Sequence, residues 1–352
     1  TAIVLIGVMA DRPALTLRTL AIAAFGVLLI APQAVVHPSF QMSFAATLAL
    51  IAAYERGLPW MTAAADTSLG ARVALWGGRE IIALMLASLV AGLATTPYAA
   101  YHFHRLAPYG VLANLLAMPI VSIWVMPMGL LGLLAIPFGF DGLLWRLMGD
   151  GIDWMVAVAL FVAHLPGAVG RVAAFGTGPL LLVTAGLILL CLLKTPLRWS
   201  GAVLVVVAGL GAIRTPLPDI LVAADGQAVA VRQADGRLAI RRAGRDAFAV
   251  REWLAADGDE RPPADPKLGE GFRCDPSGCI ARLADGRLVS QVIEPGAFEE
   301  DCERAAVIVT GREAAPGCKA LTIDRNITRR SGALVLRRSG DSFEITETKP
   351  AG

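Results

Sequence analysis

Long apolar runs separated by short polar breaks fill roughly the first 214 residues, and beyond them the pattern shortens to alternating strands and tight turns. A bilayer span needs about 20 predominantly apolar residues. The opening run "TAIVLIGVMA" is too short to span alone, and the chain begins on a threonine, so it reads as the C-terminal portion of a longer protein. The next apolar runs cover about residues 19–36, 40–54 and 80–100. The longest covers residues 109–138 and is interrupted by Pro119 and Pro127. Runs over residues 143–162, 179–193 and 201–213 close the series. The pattern predicts a polytopic α-helical membrane domain of about eight segments over residues 1–214.

From residue 215 the period changes. "ILVAADGQAVAVRQADGRLAIRRAG" alternates as three strands with turns at Asp225-Gly226 and Asp235-Gly236, and Asp-Gly is a strong hairpin signal. "IARLADGRLVSQVI" repeats the device around Asp285-Gly286, and "DAFAVREWLAADGD" has helical spacing. Further strands are expected over residues 306–310, 333–337 and 343–346, with "GDERPPADPKLGEG" as a surface loop. Residues 215–352 therefore predict a soluble α/β domain large enough for its own core. The recurring Ala-Asp-Gly triplet lacks the alternating acids and later glutamate of a calcium loop, so turn chemistry accounts for it.

Composition agrees with the membrane reading: 56% of residues are hydrophobic, and the mean hydropathy is +0.62. Charge divides at the same place. Residues 1–214 carry 11 Lys+Arg against 7 Asp+Glu, and residues 215–352 carry 20 against 22. A second half at net −2 is not the footprint of a general nucleic-acid binder, and clusters such as Arg241, Arg242 and Arg245, or Arg329 and Arg330, read first as solvated surface. The positive-inside bias puts Arg12, Arg18, Arg56, Arg72, Arg79, Lys194 and Arg198 in the cytoplasm. Arg105, Arg171, Arg214 and the C-terminal domain then lie outside, unless the proline-interrupted run turns back.

Polar groups at membrane depth are costly and tend to face a bundle interior or a watery path. Ser39, Gln41 and Ser43 head one helix, and Thr95 and Thr96 sit late in another. Tyr101, His102, His104 and Arg105 follow, and Asn114 precedes Pro119. Interhelical hydrogen bonding and pathway lining both fit these residues. The spacing of "HFH" suits interfacial side chains better than a helical metal pair, which needs i, i+3 or i+4. The four histidines all precede residue 215, so the C-terminal domain has neither a histidine base nor a histidine-ligated metal. It does hold four of the five cysteines, Cys274, Cys279, Cys302 and Cys318, read as one or two disulfides with Cys274–Cys279 the first choice. Zinc held by the four cysteines is the other reading.

"HPSFQMSFAATLALI", "YHFHRLAPYGVLANLLAMPIVSIWVMPMGLL" and the closing α/β domain together resemble the ComEC/Rec2 family of competence proteins. That family comprises inner-membrane channels passing single-stranded DNA into the cytoplasm during natural transformation. The resemblance runs from about residue 15 to 165. It implies a lipid-embedded channel that works with a periplasmic DNA receptor and a cytoplasmic motor or strand-binding protein. Full-length members also carry an OB-like domain and earlier helices, which this chain would lack. In many members the C-terminal domain resembles a metallo-β-lactamase fold, with an Asp-Val-Gly-Gln-Gly-Asp opening and a His-x-His-x-Asp-His metal motif. Here the opening is eroded to "AADGQAVAV", keeping Asp225 and Gln227, and the metal motif is missing.

The expectation is thus a DNA channel with a degenerate, non-hydrolytic C-terminal domain, no catalytic residues, no metal and no cofactor. Ser39, Gln41, Ser43, Tyr101, His102, Arg105 and Asn114 are its candidate path residues, with aromatic faces such as Tyr101, Phe103 and Trp124 available to stack on bases. A small-molecule or ion transporter with proline-broken helices is the alternative. A hydrolase lacks both histidine and a Gly-x-Ser-x-Gly elbow in the C-terminal domain.

Overall fold

A computed structural model describes residues 16–56, 69–242 and 247–348. The opening apolar run, Arg12, Arg245 and the side chains of Arg72 and Arg79 lie outside that description. Two compact units emerge, Thr1–Arg171 with Phe175–Arg214, and Val172–Ala174 with Thr215–Gly352.

In the first unit, α1 (Leu17–Ile30) starts at a capping box in which Thr16 and Thr19 satisfy one another's backbone N–H groups. It stops at Ile30, short of the expected residue 36, because Pro32 opens a 3₁₀ turn over Pro32–Val36. His37 caps α2 (Pro38–Glu55), its Nδ1 accepting from the Ser39 N–H at 3.3 Å. The long α3 (Leu69–Phe103) carries Pro97 inside it. The hydroxyls of Thr95 and Thr96 fold back onto the Ala91 and Gly92 carbonyls at 2.9 and 2.7 Å, so both are satisfied within their own helix. His104 closes α3 in the left-handed region, with φ 54°.

The proline-interrupted run is one continuous helical path. α4 (Gly110–Ile120) passes through a π turn at Val121–Val125 into α5 (Met126–Ala135) and a 3₁₀ turn at Ile136–Phe138. Pro119 and Pro127 each remove one backbone donor, and the π turn between them accommodates the loss without reversing the chain. α6 (Asp141–Ala163) then returns alongside it. Contacts of Trp145 with Gly132, Met148 with Gly129 and Trp124 with Gly151 fix an antiparallel register. At its centre the Trp124 indole N–H donates to the Leu147 carbonyl at 2.7 Å.

The last two helices of the unit are α7 (Thr177–Leu192) and α8 (Trp199–Ile213). They meet glycine to glycine: a Cβ on Gly201 would sit 2.4 Å from the Gly186 carbonyl oxygen. Small residues let helix backbones approach this closely in a membrane. Arg56 donates to the Cys191 and Leu193 carbonyls at 3.1 and 3.3 Å, neutralising the C-terminal end of α7. Among the described residues, Ile81–Phe103, Gly110–Phe138 and Pro196–Ile213 are long and apolar enough to cross a membrane, and Leu17–Ile30 and Thr177–Leu192 are shorter apolar helices. A two-stranded ladder of β1 (Arg105–Leu106) and β2 (Gly170–Arg171) joins two interhelical segments.

The second unit is a sandwich of two five-stranded sheets. β3 (Ile220–Val222), β4 (Ala228–Arg232) and β5 (Leu238–Arg242) form the first sheet with β11 (Leu334–Ser339) and β12 (Ser342–Glu347), in the order β12-β11-β3-β4-β5, all antiparallel. β6 (Phe272–Cys274), β7 (Gly278–Arg282), β8 (Leu288–Val292), β9 (Val307–Thr310) and β10 (Leu321–Ile323) form the second, in the order β10-β9-β8-β7-β6. There β8, β9 and β10 run parallel. Ile220, Val229, Val231 and Leu336 of one sheet pack with Ala281, Val289, Val307 and Val309 of the other. Each of the valine, isoleucine and leucine side chains among them contributes roughly 1.5–3 kcal/mol.

Helix α9 (Phe248–Asp257) covers the outer face of the first sheet through Val250 and Leu254. Helix α10 (Phe298–Arg304) lies on β8, where Asp301 accepts from the buried Ser290 hydroxyl at 2.7 Å. A last short helix, α11 (Arg325–Ser331), is capped by Asp324. The turn between β7 and β8 is tied down by charge. Partial burial pushes the Asp285 carboxyl up, but the Arg287 backbone N–H and the Arg338 and Arg287 guanidinium groups outweigh this and hold it at about 2.

Candidate functional site

At the head of α2, Gln41 donates through Nε2 to the Val35 carbonyl at 2.9 Å, which leaves its Oε1 to accept from His102 Nε2 at 2.8 Å. The network thereby assigns a proton to Nε2 of His102. Helix α2 is thus pinned to the last turn of α3 by an amide–imidazole bond. One residue earlier, the Tyr101 ring meets Phe175 edge-on with centroids 5.6 Å apart, above a cluster of Ala45, Tyr98, Leu180, Val183 and Ala208. Within that cluster the Tyr98 and Thr184 hydroxyls are 3.0 Å apart and link α3 to α7.

Arg105 and Arg171 are Cα partners in the two-stranded ladder, and Arg105 is exposed. The pair therefore sets two cationic residues opposite one another three residues beyond His102, a placement whose positive potential favours an anionic strand.

The seven candidate path residues are only partly brought together. Gln41, Tyr101 and His102 converge, and Arg105 follows them. Ser39 and Ser43 are exposed one turn apart on the side of α2 away from Gln41 and Ala45. Asn114 is exposed on α4, and its side chain makes no hydrogen bond among the described residues.

Phe175 and Arg171 join the site only through the fold. A second omission was legible: in "RLMGDGID", Arg146, Asp150 and Asp153 recur at i, i+4 and i+7, which is one helix face. All three are exposed on α6. The α6 register sets Asp150 and Asp153 beside the middle of the Gly110–Phe138 run. An aspartate turned to lipid at that depth costs roughly 2.5–3.5 kcal/mol, so this face belongs against water or protein.

In the second unit, Asp225 and Gln227 form the β3–β4 turn. Asp225 Oδ1 accepts from the Gln227 N–H at 2.9 Å around Gly226, whose φ is +69°. The turn rests on the end of β9, where a Cβ on Gly226 would meet Gly311 Cα at 3.4 Å, and Gln291 Nε2 donates to the Gln227 carbonyl at 3.1 Å. Local hydrogen bonding thus uses the Asp225 carboxylate and the Gln227 backbone. Among the described residues, no three His, Cys, Asp or Glu side chains are grouped to hold a metal ion. The four cysteines are paired as Cys274–Cys279 and Cys302–Cys318.

These features define a helical membrane protein with an appended β-sandwich. The family model described as "Competence protein" matches residues 1–197, and the chain belongs to that family. Membership carries a role in DNA uptake during competence. No curated protein and no solved structure matches the chain.

Proposed function

We propose that this protein is the inner-membrane channel component that passes single-stranded DNA into the cytoplasm during natural transformation. The carrying observation is the opposed Arg105–Arg171 pair beside Gln41, Tyr101 and His102 in a chain of the competence family. A single strand brings one phosphate per nucleotide and base faces that stack on aromatic rings. The arginines supply the cations, the Tyr101–Phe175 pair supplies the rings, and the Gln41–His102 bond sets the spacing of α2 and α3 at that end.

The second unit on this reading lies in the periplasm as a non-hydrolytic relative of the metallo-β-lactamase fold. Its two facing sheets with helices outside and the self-satisfied Asp225–Gln227 turn support that reading. A periplasmic DNA receptor and a cytoplasmic motor or strand-binding protein are the partners it implies.

The test is transformation frequency in a deletion strain complemented with the wild type or with Arg105→Gln plus Arg171→Gln, each checked for membrane level. Losing two phosphate contacts should lower single-strand affinity about tenfold or more and flatten its logarithmic salt slope by about 1.4, at about 0.7 per contact. Full transformation by the double variant, or no transformation defect on deletion, would overturn the assignment.

A further inference from the structure

Cys274 and Cys279 are register partners across the β6–β7 hairpin, with Cα atoms 4.1 Å apart. Their sulfurs have unlike surroundings. Cys279 is buried at 1% exposure, and its Sγ accepts from Arg241 Nε at 3.2 Å. Cys274 is exposed. Both line a cavity of about 570 Å³ together with Arg273, Asp275, Ser277 and Arg304, so an incoming group has room to approach the bond. The other bridge differs, because no side-chain donor reaches Cys302 or Cys318 among the described residues.

We propose that Cys274–Cys279 is a thiol–disulfide exchange site for an external dithiol. Thiolate attack requires an accessible sulfur at one end and a stabilised leaving thiolate at the other. The exposed Cys274 is the sulfur attacked, and Arg241 supplies the cation that favours a thiolate on Cys279. One thiolate of the dithiol bonds to Cys274 Sγ, the S–S bond breaks, and its electron pair goes to Cys279 Sγ. The second thiolate of the dithiol then attacks the mixed disulfide and releases Cys274. The dithiol leaves as a disulfide, and two electrons and two protons have passed to the cysteine pair. The consequence falls on the sheet edge: β6 is a three-residue edge strand whose one neighbour is β7, and opening the bridge loosens that edge where Phe272 and Cys279 reach the sandwich core.

The full chain in membranes is titrated with dithiothreitol, trapped with an alkylating reagent and mapped by mass spectrometry. Cys274–Cys279 should open at about tenfold less reductant than Cys302–Cys318, and exposure to glutathione should place the mixed disulfide on Cys274. Arg241→Gln should raise the reductant needed for Cys274–Cys279 about threefold or more and leave Cys302–Cys318 unmoved, while Arg241→Lys should restore the wild-type value. Bridges that open together, glutathione on Cys279, or an Arg241→Gln shift shared by both bridges would each overturn the proposal.

Discussion

Replacing Asp150 and Asp153 by leucine asks what the outer face of α6 touches. Trp145 opposite Gly132, Met148 opposite Gly129 and Gly151 opposite Trp124 set Asp153 near residue 123. That lies within about two residues of the middle of Gly110–Phe138, or roughly 3 Å along the axis. An aspartate facing lipid there costs roughly 2.5–3.5 kcal/mol and a leucine gains roughly 0.3–0.6. If the face met lipid, the double leucine variant would be more stable by about 6–8 kcal/mol. If it meets water or protein, each leucine should change stability by less than about 1 kcal/mol or lower it. Unfolding in bicelles reads the difference. Cysteine labelling adds a second reading, with Ile123→Cys as the reference because Ile123 is 75% exposed at the same depth. On a wet face, Asp153→Cys should react with a water-soluble maleimide about tenfold faster than the Ile123 variant. Stabilisation by both leucines together with labelling no faster than at Ile123 would refute the reasoning.

Three further outcomes are expected. Gly201→Ala must push α8 off the Gly186 backbone and should cost about 1–3 kcal/mol in a detergent melt, whereas Gly209→Ala on the same helix, with nothing within 4 Å, should be neutral or stabilising. His102→Phe removes the donor to Gln41 and should cost about 1–3 kcal/mol and lower transformation, with His102→Asn retaining more of both. Asp285→Asn should destabilise the second unit by up to about 1 kcal/mol at neutral pH. Because the native carboxyl titrates at about 2, below its ordinary 3.8, the stability it contributes is present above about pH 4 and vanishes as pH falls through 2. The gap between variant and wild type should close over that window in a urea titration; a gap unchanged at pH 2 would exclude the carboxylate as its source.

Elements with a strong local signal were legible in the sequence. The Asp-Gly pairs at residues 225–226, 235–236 and 285–286 all sit in turns between neighbouring antiparallel strands, because glycine accepts the positive φ those turns require. Alternation placed β3, β4, β5, β7 and β8, and apolar length placed Ile81–Phe103, Gly110–Phe138 and Pro196–Ile213, the described helices long enough to cross a membrane. β6 and β10 were missed: each has three residues, too few for a period to show. The helix α10 was hidden for a related reason, since "FEEDCER" presents little apolar face and is held by a buried Ser290–Asp301 bond and a disulfide to Cys318.

The candidate site divides along the same physical line. Choosing Gln41, Ser39 and Ser43 as one group treated polarity as the signal, yet residues two apart on a helix point about 200° apart, so Gln41 turns inward and the serines do not. Arg171 and Phe175 enter through an antiparallel ladder and a ring contact, with partners 66 and 74 residues earlier in the chain, and no local pattern encodes such a pairing. Arg146, Asp150 and Asp153 are the opposite case. Their spacing declared a face, and only the register against Gly110–Phe138 gave that face a depth at which charge must be sheltered from lipid. Helix periodicity can therefore say which residues stand together, while the cost that makes their position functional comes from packing.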